Sequence, residues 1–184
     1  MASHKIISFK FITLIGFTLI VSWIVFHSVG RLSPFSQQNN AYNSNTSINS
    51  TGNNLLLRDS IVNFGMKLLD TPYVSAGSSE DGFDCSGFVF YVFKHFRIEV
   101  PRSSPQYENF GKEIPIESVQ KGDVLVFLSP TSNVIGHIGI VTNPKGMESD
   151  FIHATSGREM KVVISSLKIK GYKIRFVKAV SVLN

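Results

Sequence analysis

A single cysteine and two later histidines are the residues of this sequence best suited to covalent chemistry. Cys85 is the only cysteine among 184 residues, and it lies in the segment DGFDCSGFVFYVFKHF. Asp84 is suited to cap a helix that begins at the thiol. A helix N-terminus favours the thiolate, the reactive form of cysteine, and Gly87 leaves the approach to the sulfur open. The segment therefore predicts a nucleophile at the start of a helix.

A thiol nucleophile needs a histidine as general base and later as general acid. Two of the five histidines lie in the N-terminal apolar segment, and His95 lies near the end of the cysteine helix. His137 in GHIGIVT and His153 in FIHAT remain, each inside a short apolar run with strand composition. If the NPKG turn joins these runs as a hairpin, the two rings are neighbours. One ring would then act as the base and the other would orient it.

Each of these residues has a common structural alternative. A lone cysteine is more often a small buried hydrophobe, and a single histidine on a strand is more often structural. A cysteine at a capped helix start together with histidines on two strands is a different case from any one of these residues alone. The chain has an export-like front end, and its single cysteine cannot form an internal disulfide. Both features favour a nucleophilic role for Cys85 over a structural one.

The elements that must position these side chains follow from hydrophobic spacing and turn residues. Apolar residues from Leu55 to Leu69 recur at helical spacing, and a second helix is expected from Asp84 to Phe96. Short apolar runs of strand composition then follow at 123–128, 136–142, 150–154, 161–164 and 172–182. Helices followed by closely spaced strands predict an α+β domain with an antiparallel sheet.

The first 31 residues have the layout of a signal peptide or signal anchor. Two lysines precede an uncharged run from Phe11 to Phe26, and a helix continued to Gly30 would just span a bilayer. No small-x-small cleavage motif follows, which favours an uncleaved anchor. Residues 32–54 are rich in Asn and Ser and have little to bury, so they are predicted to be a flexible linker. Residues 55–184 remain as one globular domain.

The charge balance does not indicate a nucleic-acid partner. The formal charge is +5, but three basic residues precede residue 32, and the rest of the chain has 15 basic and 13 acidic residues. The basic residues between Lys161 and Lys178 are interpreted as a solvated strand face rather than as a docking surface for an anionic polymer. The sequence has no HExxH or other compact ligand set, and neither a metal nor another cofactor is expected.

The motifs resemble those of the NlpC family of papain-like cysteine peptidases, which act on bacterial cell walls. The likeness covers about Asp59 to Val182. TPYVSAGSSEDGFDCSGFV resembles the segment that carries the family's nucleophile, VPRSSPQY the loop after it, and QKGDVLVF the entrance to the next strand. GHIGIV and FIHATSG resemble its two histidine motifs, and RFVKAVSV its last strand. The resemblance implies a papain-like α+β core, with N-terminal helices packed on an antiparallel sheet of about five strands.

The resemblance also implies a role for each matching residue. Cys85 would be the nucleophile, His137 the general base, and His153 the residue that orients it. Tyr73 matches a tyrosine beside the sulfur, whose hydroxyl would help the Cys85 N–H to hold an oxyanion; its alternative is an ordinary packed aromatic side chain.

Asp84 and Ser86 match positions that line the substrate groove in the family, although Asp84 would also cap its helix. The chain departs from the family at Ser75, Ala76 and Gly77, where an aromatic residue and paired glycines are frequent. The wall of the groove, and with it the substrate preference, is therefore expected to differ.

The function implied is that of a cysteine endopeptidase, which hydrolyses amide bonds in the stem or cross-linking peptides of peptidoglycan through a thioester. The small, single-domain periplasmic members are the most similar. Similarity to these members implies that this chain is a monomer exported to the periplasm or cell envelope. It would be held at the inner membrane if the N-terminal segment stays uncleaved. The alternatives are a non-catalytic peptidoglycan-binding module and a thiol acyltransferase or amidase of the same fold.

Overall fold

Residues 38–183 are described by the computed structural model of the chain, so the predicted signal segment lies outside the described residues. The helices are α1 (Gln38–Met66), α2 (Cys85–His95) and α3 (Lys170–Lys173). The strands are β1 (Ser78–Ser79), β2 (Gly82–Phe83), β3 (Lys112–Ile114), β4 (Val124–Leu128), β5 (Ile135–Asn143), β6 (Asp150–Ala154), β7 (Val162–Ser166) and β8 (Phe176–Ser181). Within this part of the chain, no helix combines the length and apolar character needed to cross a membrane.

Six of the strands form one antiparallel sheet in the order β3-β8-β4-β5-β6-β7, and β1 pairs with β2. The predicted α+β class with an antiparallel sheet is confirmed, but the sheet has one strand more than expected. The extra strand is β3, which has three residues, two of them exposed and charged, and therefore lacks apolar alternation. The predicted strand 172–182 begins only at Phe176, because Tyr172 lies in α3 with its ring against other aromatic rings.

Helix α1 begins earlier than the sequence predicted. Residues 38–54, assigned to a linker by their composition, are helical, and no proline interrupts the backbone hydrogen bonds between residues 38 and 66. Residues up to Asn49 form a unit separate from Ser50–Asn184, and the division of the chain into domains stays a prediction. In the second unit the buried Arg58 of α1 binds Asp123 at 2.8 Å, which ties α1 to the start of β4.

The two faces of the sheet are both covered. The larger core lies between the sheet and helices α1 and α2, and its buried members include Ile61, Phe88, Val92, Val126 and Ile140. A smaller core on the other face contains Leu125, Phe127, Val141, Phe151 and Leu167, with Tyr172 and Phe176 at its edge. Alternate residues of β4 enter opposite cores, so this central strand is buried on both faces.

The start of α2 is fixed by a side-chain cap and by a glycine. Asp84 accepts a 2.6 Å hydrogen bond from the backbone N–H of Gly87, which confirms the predicted N-cap. A Cβ added at Gly87 would lie 1.9 Å from the carbonyl oxygen of Gly77. The glycine therefore lets the first turn of α2 contact the loop that precedes it, and this contact sets the position of Cys85.

We expect Gly87→Ala to destabilise the domain by about 2 kcal/mol or more, because a methyl group would be forced against backbone rather than against a flexible side chain. Chemical denaturation followed by circular dichroism measures the change. Gly52→Ala is the matched control, since no atom lies within 4 Å of an added Cβ at that helical position. Equal stability of the two variants would contradict the contact assigned to Gly87.

Candidate active site

Cys85 lies at the start of α2, beside the strand that carries His137. Its Sγ is 3.9 Å from the carbonyl oxygen of Gly136, the residue before His137. The thiol is half-buried. Helix α2 packs on β5 and β6, the two strands that carry the histidines. The fold thus brings together three residues separated by as many as 68 positions in the sequence.

The environment of the thiol favours its protonated form. Burial and then the Asp84 carboxylate raise the pKa of Cys85, against a lowering by nearby backbone N–H groups. The backbone N–H groups at the start of α2 do favour the thiolate, as the sequence predicts, but the loss of solvent around the thiol outweighs them. A thiol that is protonated at neutral pH needs a base when it attacks.

His137 and His153 are hydrogen-bonded to each other. His137 Nε2 lies 2.8 Å from His153 Nδ1, and the two rings are close to perpendicular at 86°. They come from the antiparallel neighbours β5 and β6, which confirms the predicted hairpin. An added Cβ at Gly139 would lie 2.6 Å from Cδ2 of Phe151 and 3.1 Å from Cβ of His153, so the glycine lets β6 pack closely on β5 at this point. The bond to His153 uses Nε2 of His137, so Nδ1 is the ring nitrogen of His137 that remains to accept a proton.

The second histidine is held by two hydroxyl groups. His153 is fully buried, and its Nε2 lies 3.0 Å from Ser165 Oγ and 3.4 Å from Tyr172 Oη. The rings of Phe151 and Tyr172 contact it, with centroids 4.9 and 5.4 Å away. Burial, then His137 and Arg175, lower the pKa of His153 well below its ordinary value. This imidazole is therefore neutral at physiological pH, with one donor and one acceptor nitrogen.

His137 is also kept neutral. Burial, and to a smaller extent the positive charge of Arg175, lower its pKa to about 4. A neutral imidazole can accept the proton of the thiol, whereas an imidazolium cannot. His137 is therefore able to accept a proton throughout the physiological pH range.

We expect kcat/KM to fall on the acid side with a midpoint near pH 4, where His137 takes up its proton. Initial rates on a soluble peptidoglycan fragment measure this profile. The unfolded state binds protons on histidine below pH about 6.5 that the folded state excludes, so the free energy of unfolding also falls on acidification. The rate of each sample is therefore measured again after its return to neutral pH, which separates loss of activity by unfolding from loss by protonation of His137. A midpoint near the ordinary histidine pKa would contradict the neutral pair.

Tyr73 is electrostatically coupled to the thiol. Its side chain is half-buried against the main core, and its pKa is raised by burial, then by Cys85 and Asp84. Its backbone N–H donates to the carbonyl oxygen of Met160 at 2.8 Å, which fixes the segment ahead of the nucleophile. This position is compatible with an oxyanion donor, and that role stays a prediction.

Asp84 and Ser86 belong to a network that includes Arg102. The Asp84 carboxylate accepts hydrogen bonds from Ser86 Oγ at 3.1 Å and from the Arg102 guanidinium at 3.0 Å. Arg102 also donates to two carbonyl oxygens of the turn at 76–77. The network locks the turn, the helix cap and the following loop together beside Cys85. The groove-lining role of Asp84 and Ser86 stays a prediction.

The sequence gives little or no local signal for three residues of the site. Arg102 lies in VPRSSPQY, and its charge next to a proline was the only available signal. Ser165 reaches His153 only through the register of β7 on β6, which places it opposite Phe151. Tyr172 lies at the start of the predicted strand 172–182, because YKIRFVKAVSV has strand composition.

A thiol at a capped helix start, placed near two hydrogen-bonded histidines on an antiparallel sheet, is the arrangement of papain-like cysteine peptidases. Comparison with known proteins agrees with this class. The chain belongs to the NlpC/P60 family, whose model matches residues 70–181. Cys85, His137 and His153 all lie inside the matched region.

Three relatives show how far the likeness extends. The chain is 32% identical to Murein DD-endopeptidase MepS/Murein LD-carboxypeptidase of Escherichia coli, over 61% of this chain and 56% of that protein. It is 32% identical to a Gamma-D-glutamyl-L-lysine dipeptidyl-peptidase of Bacillus cereus, over 62% of this chain and 33% of the relative. An NlpC/P60 family crystal structure from Bacillus cereus superposes with a TM-score of 0.62 at 30% identity, covering 69% of this chain and 40% of that one. The chain thus spans between a third and little more than half of these two curated relatives.

Proposed function

We propose that the chain is a cysteine endopeptidase that hydrolyses amide bonds in the peptides of peptidoglycan. The observation that carries the proposal is the placement of Cys85 beside the hydrogen-bonded pair His137 and His153, inside an NlpC/P60 domain. The names of two relatives, a murein endopeptidase and a glutamyl-lysine peptidase, support the substrate class.

In the first half of the reaction, Sγ of Cys85 attacks the carbonyl carbon of the scissile amide while His137 Nδ1 takes the thiol proton. The carbonyl oxygen becomes an oxyanion, held by the Cys85 backbone N–H and the Tyr73 hydroxyl. The tetrahedral intermediate collapses, the C–N bond breaks, and His137 returns the proton to the leaving amine. The acyl part remains on the sulfur as a thioester.

The second half repeats these steps with water. His137 takes a proton from the water, whose oxygen attacks the thioester carbonyl. Collapse of this intermediate breaks the C–S bond and releases a carboxylic acid, and the proton returns to the thiolate. His153 accepts the Nε2–H of His137 throughout and so stabilises the imidazolium that forms twice.

The bond that is cut is tested with two soluble muropeptides, one joined by a D,D-peptide bond and one containing a γ-D-glutamyl bond. Products are separated by liquid chromatography and their new termini are identified by mass spectrometry. We expect one of the two bonds to be hydrolysed. Binding of both peptides without hydrolysis would instead support a wall-binding module, and transfer of the acyl group to an added amine in preference to water would support an acyltransferase.

The proposal also places the domain outside the cytoplasm, as a monomer in the periplasm or cell envelope. Its support is the uncharged run from Phe11 to Phe26 after two lysines. If the segment is retained, the inner membrane is a further partner. Cell fractionation with mass measurement of the mature chain tests both points, and recovery of the full-length chain in the cytoplasm would contradict export.

A further inference from the structure

We propose that Ser165 and Tyr172 are positioning residues, whose hydroxyl oxygens accept the Nε2–H of His153 and hold it in the tautomer that the catalytic pair requires. The inference rests on the proposed thiol-hydrolase function and deepens it. The main observation is that both hydroxyl oxygens lie close to Nε2 of the fully buried His153, at 3.0 and 3.4 Å.

The positions of the ring protons on His137 and His153 show why these acceptors are needed. His137 Nδ1 must be free of a proton to accept one from Cys85, so a neutral His137 carries its proton on Nε2. That Nε2–H donates to His153 Nδ1 across 2.8 Å. His153 must therefore carry its own proton on Nε2. With both tautomers reversed, Nδ1–H of His137 would face the thiol and the base would be lost.

The two hydroxyl groups favour the productive tautomer. When Nε2 of His153 carries the proton, this N–H can donate to the oxygens of both Ser165 and Tyr172. When Nε2 is bare, its single lone pair can accept from only one hydroxyl at a time. Both residues are partly exposed, so their hydroxyl protons can be donated to water while the oxygens accept from the ring. An Nε2–H with no acceptor would be costly at a buried site.

The two residues reach His153 from different elements. Ser165 lies on β7 and Tyr172 on α3, and the Tyr172 ring also stacks on His137 with centroids 6.1 Å apart. The charged or titratable groups facing the pair are Cys85, Tyr172 and Arg175, whose guanidinium lies 5.2 Å from the Tyr172 ring centroid. Arg175 opposes protonation of both rings, and a positive charge on His137 further opposes protonation of His153, so His153 stays neutral when His137 becomes cationic.

The first test measures the alkylation rate of the single thiol by iodoacetamide as a function of pH and requires no substrate. In Ser165→Ala, we expect a rate about three- to tenfold below wild type between pH about 5 and 7, where the thiol depends on His137. The alkaline limb, where the thiolate forms without help, should be unchanged. Ser165→Thr, which keeps the hydroxyl, should restore the rate, and Ser166→Ala on the same strand should match wild type.

Tyr172→Phe keeps the ring and removes the hydroxyl, so it tests the proposal even if Ser165→Ala fails to fold. We expect a smaller decrease on the neutral limb, because this contact is longer, and a larger one in the double variant. Nitrogen-15 NMR of the histidines should show His153 protonated at Nε2 in the wild type, with an increased Nδ1–H form in the double variant. A wild-type pH profile in both single variants, or an Nδ1–H tautomer of His153 in the wild type, would overturn the proposal. Neither readout depends on which amide bond is hydrolysed.

Discussion

The variant Cys85→Ala should have no measurable turnover on peptidoglycan peptides, a loss of about 10⁴-fold or more relative to wild type. Without Sγ no thioester can form, and the remaining groups can only bind the substrate. The folded domain should persist, with a stability change within about 1 kcal/mol, because a single half-buried atom with one weak polar contact is removed. Product release measured by chromatography, together with thermal unfolding, checks both parts.

The control for this variant is Lys94→Gln, which changes an exposed side chain on the same helix. Its activity should equal that of the wild type within about twofold, as expected for a surface substitution away from the site. Turnover retained by the folded Cys85→Ala variant would show that Cys85 is not the nucleophile.

The second large effect is expected for His137→Ala, with kcat reduced by about 10²- to 10⁴-fold. The raised pKa of the Cys85 thiol means that little thiolate is present at neutral pH without a base. The loss should therefore shrink as the pH rises, because the thiolate then forms by itself. Steady-state rates between neutral and alkaline pH measure this dependence.

His95→Ala is the matched control for His137→Ala. His95 lies at the exposed end of α2, where its ring stacks on Phe64 with centroids 3.8 Å apart. Its removal should change stability modestly and leave kcat close to the wild-type value. An equal loss of activity in both histidine variants would show that general destabilisation, and not loss of a base, is responsible.

Much of the site could be predicted from local sequence. Asp84 was recognised as a helix cap from its residue type and position, and its bond to the Gly87 N–H confirms this. The pairing of His137 with His153 followed from two apolar runs joined by a short turn. These features depend on neighbouring residues or on a hairpin, so a single sequence contains the required information.

The remaining parts depend on contacts that local sequence does not encode. The bond from Ser165 to His153 depends on the β6–β7 register, and the position of Tyr172 depends on packing against the aromatic rings of the smaller core. The net pKa shift of Cys85 depends on how deeply the thiol is buried, and local sequence does not encode that burial. The helical residues 38–54 show that composition alone did not determine local backbone structure.

The mechanism requires a thioester on Cys85, and hydroxylamine partitioning detects such an intermediate. Wild-type protein and Cys85→Ala are incubated with a soluble muropeptide and increasing hydroxylamine, and the acyl products are identified by mass spectrometry. We expect the wild type to release the same peptide as an acid and as a hydroxamate, since water and hydroxylamine compete for one acyl-enzyme. The Cys85→Ala variant should release neither. Acid as the sole product at every hydroxylamine concentration, or hydroxamate released by Cys85→Ala, would contradict a covalent intermediate on this cysteine.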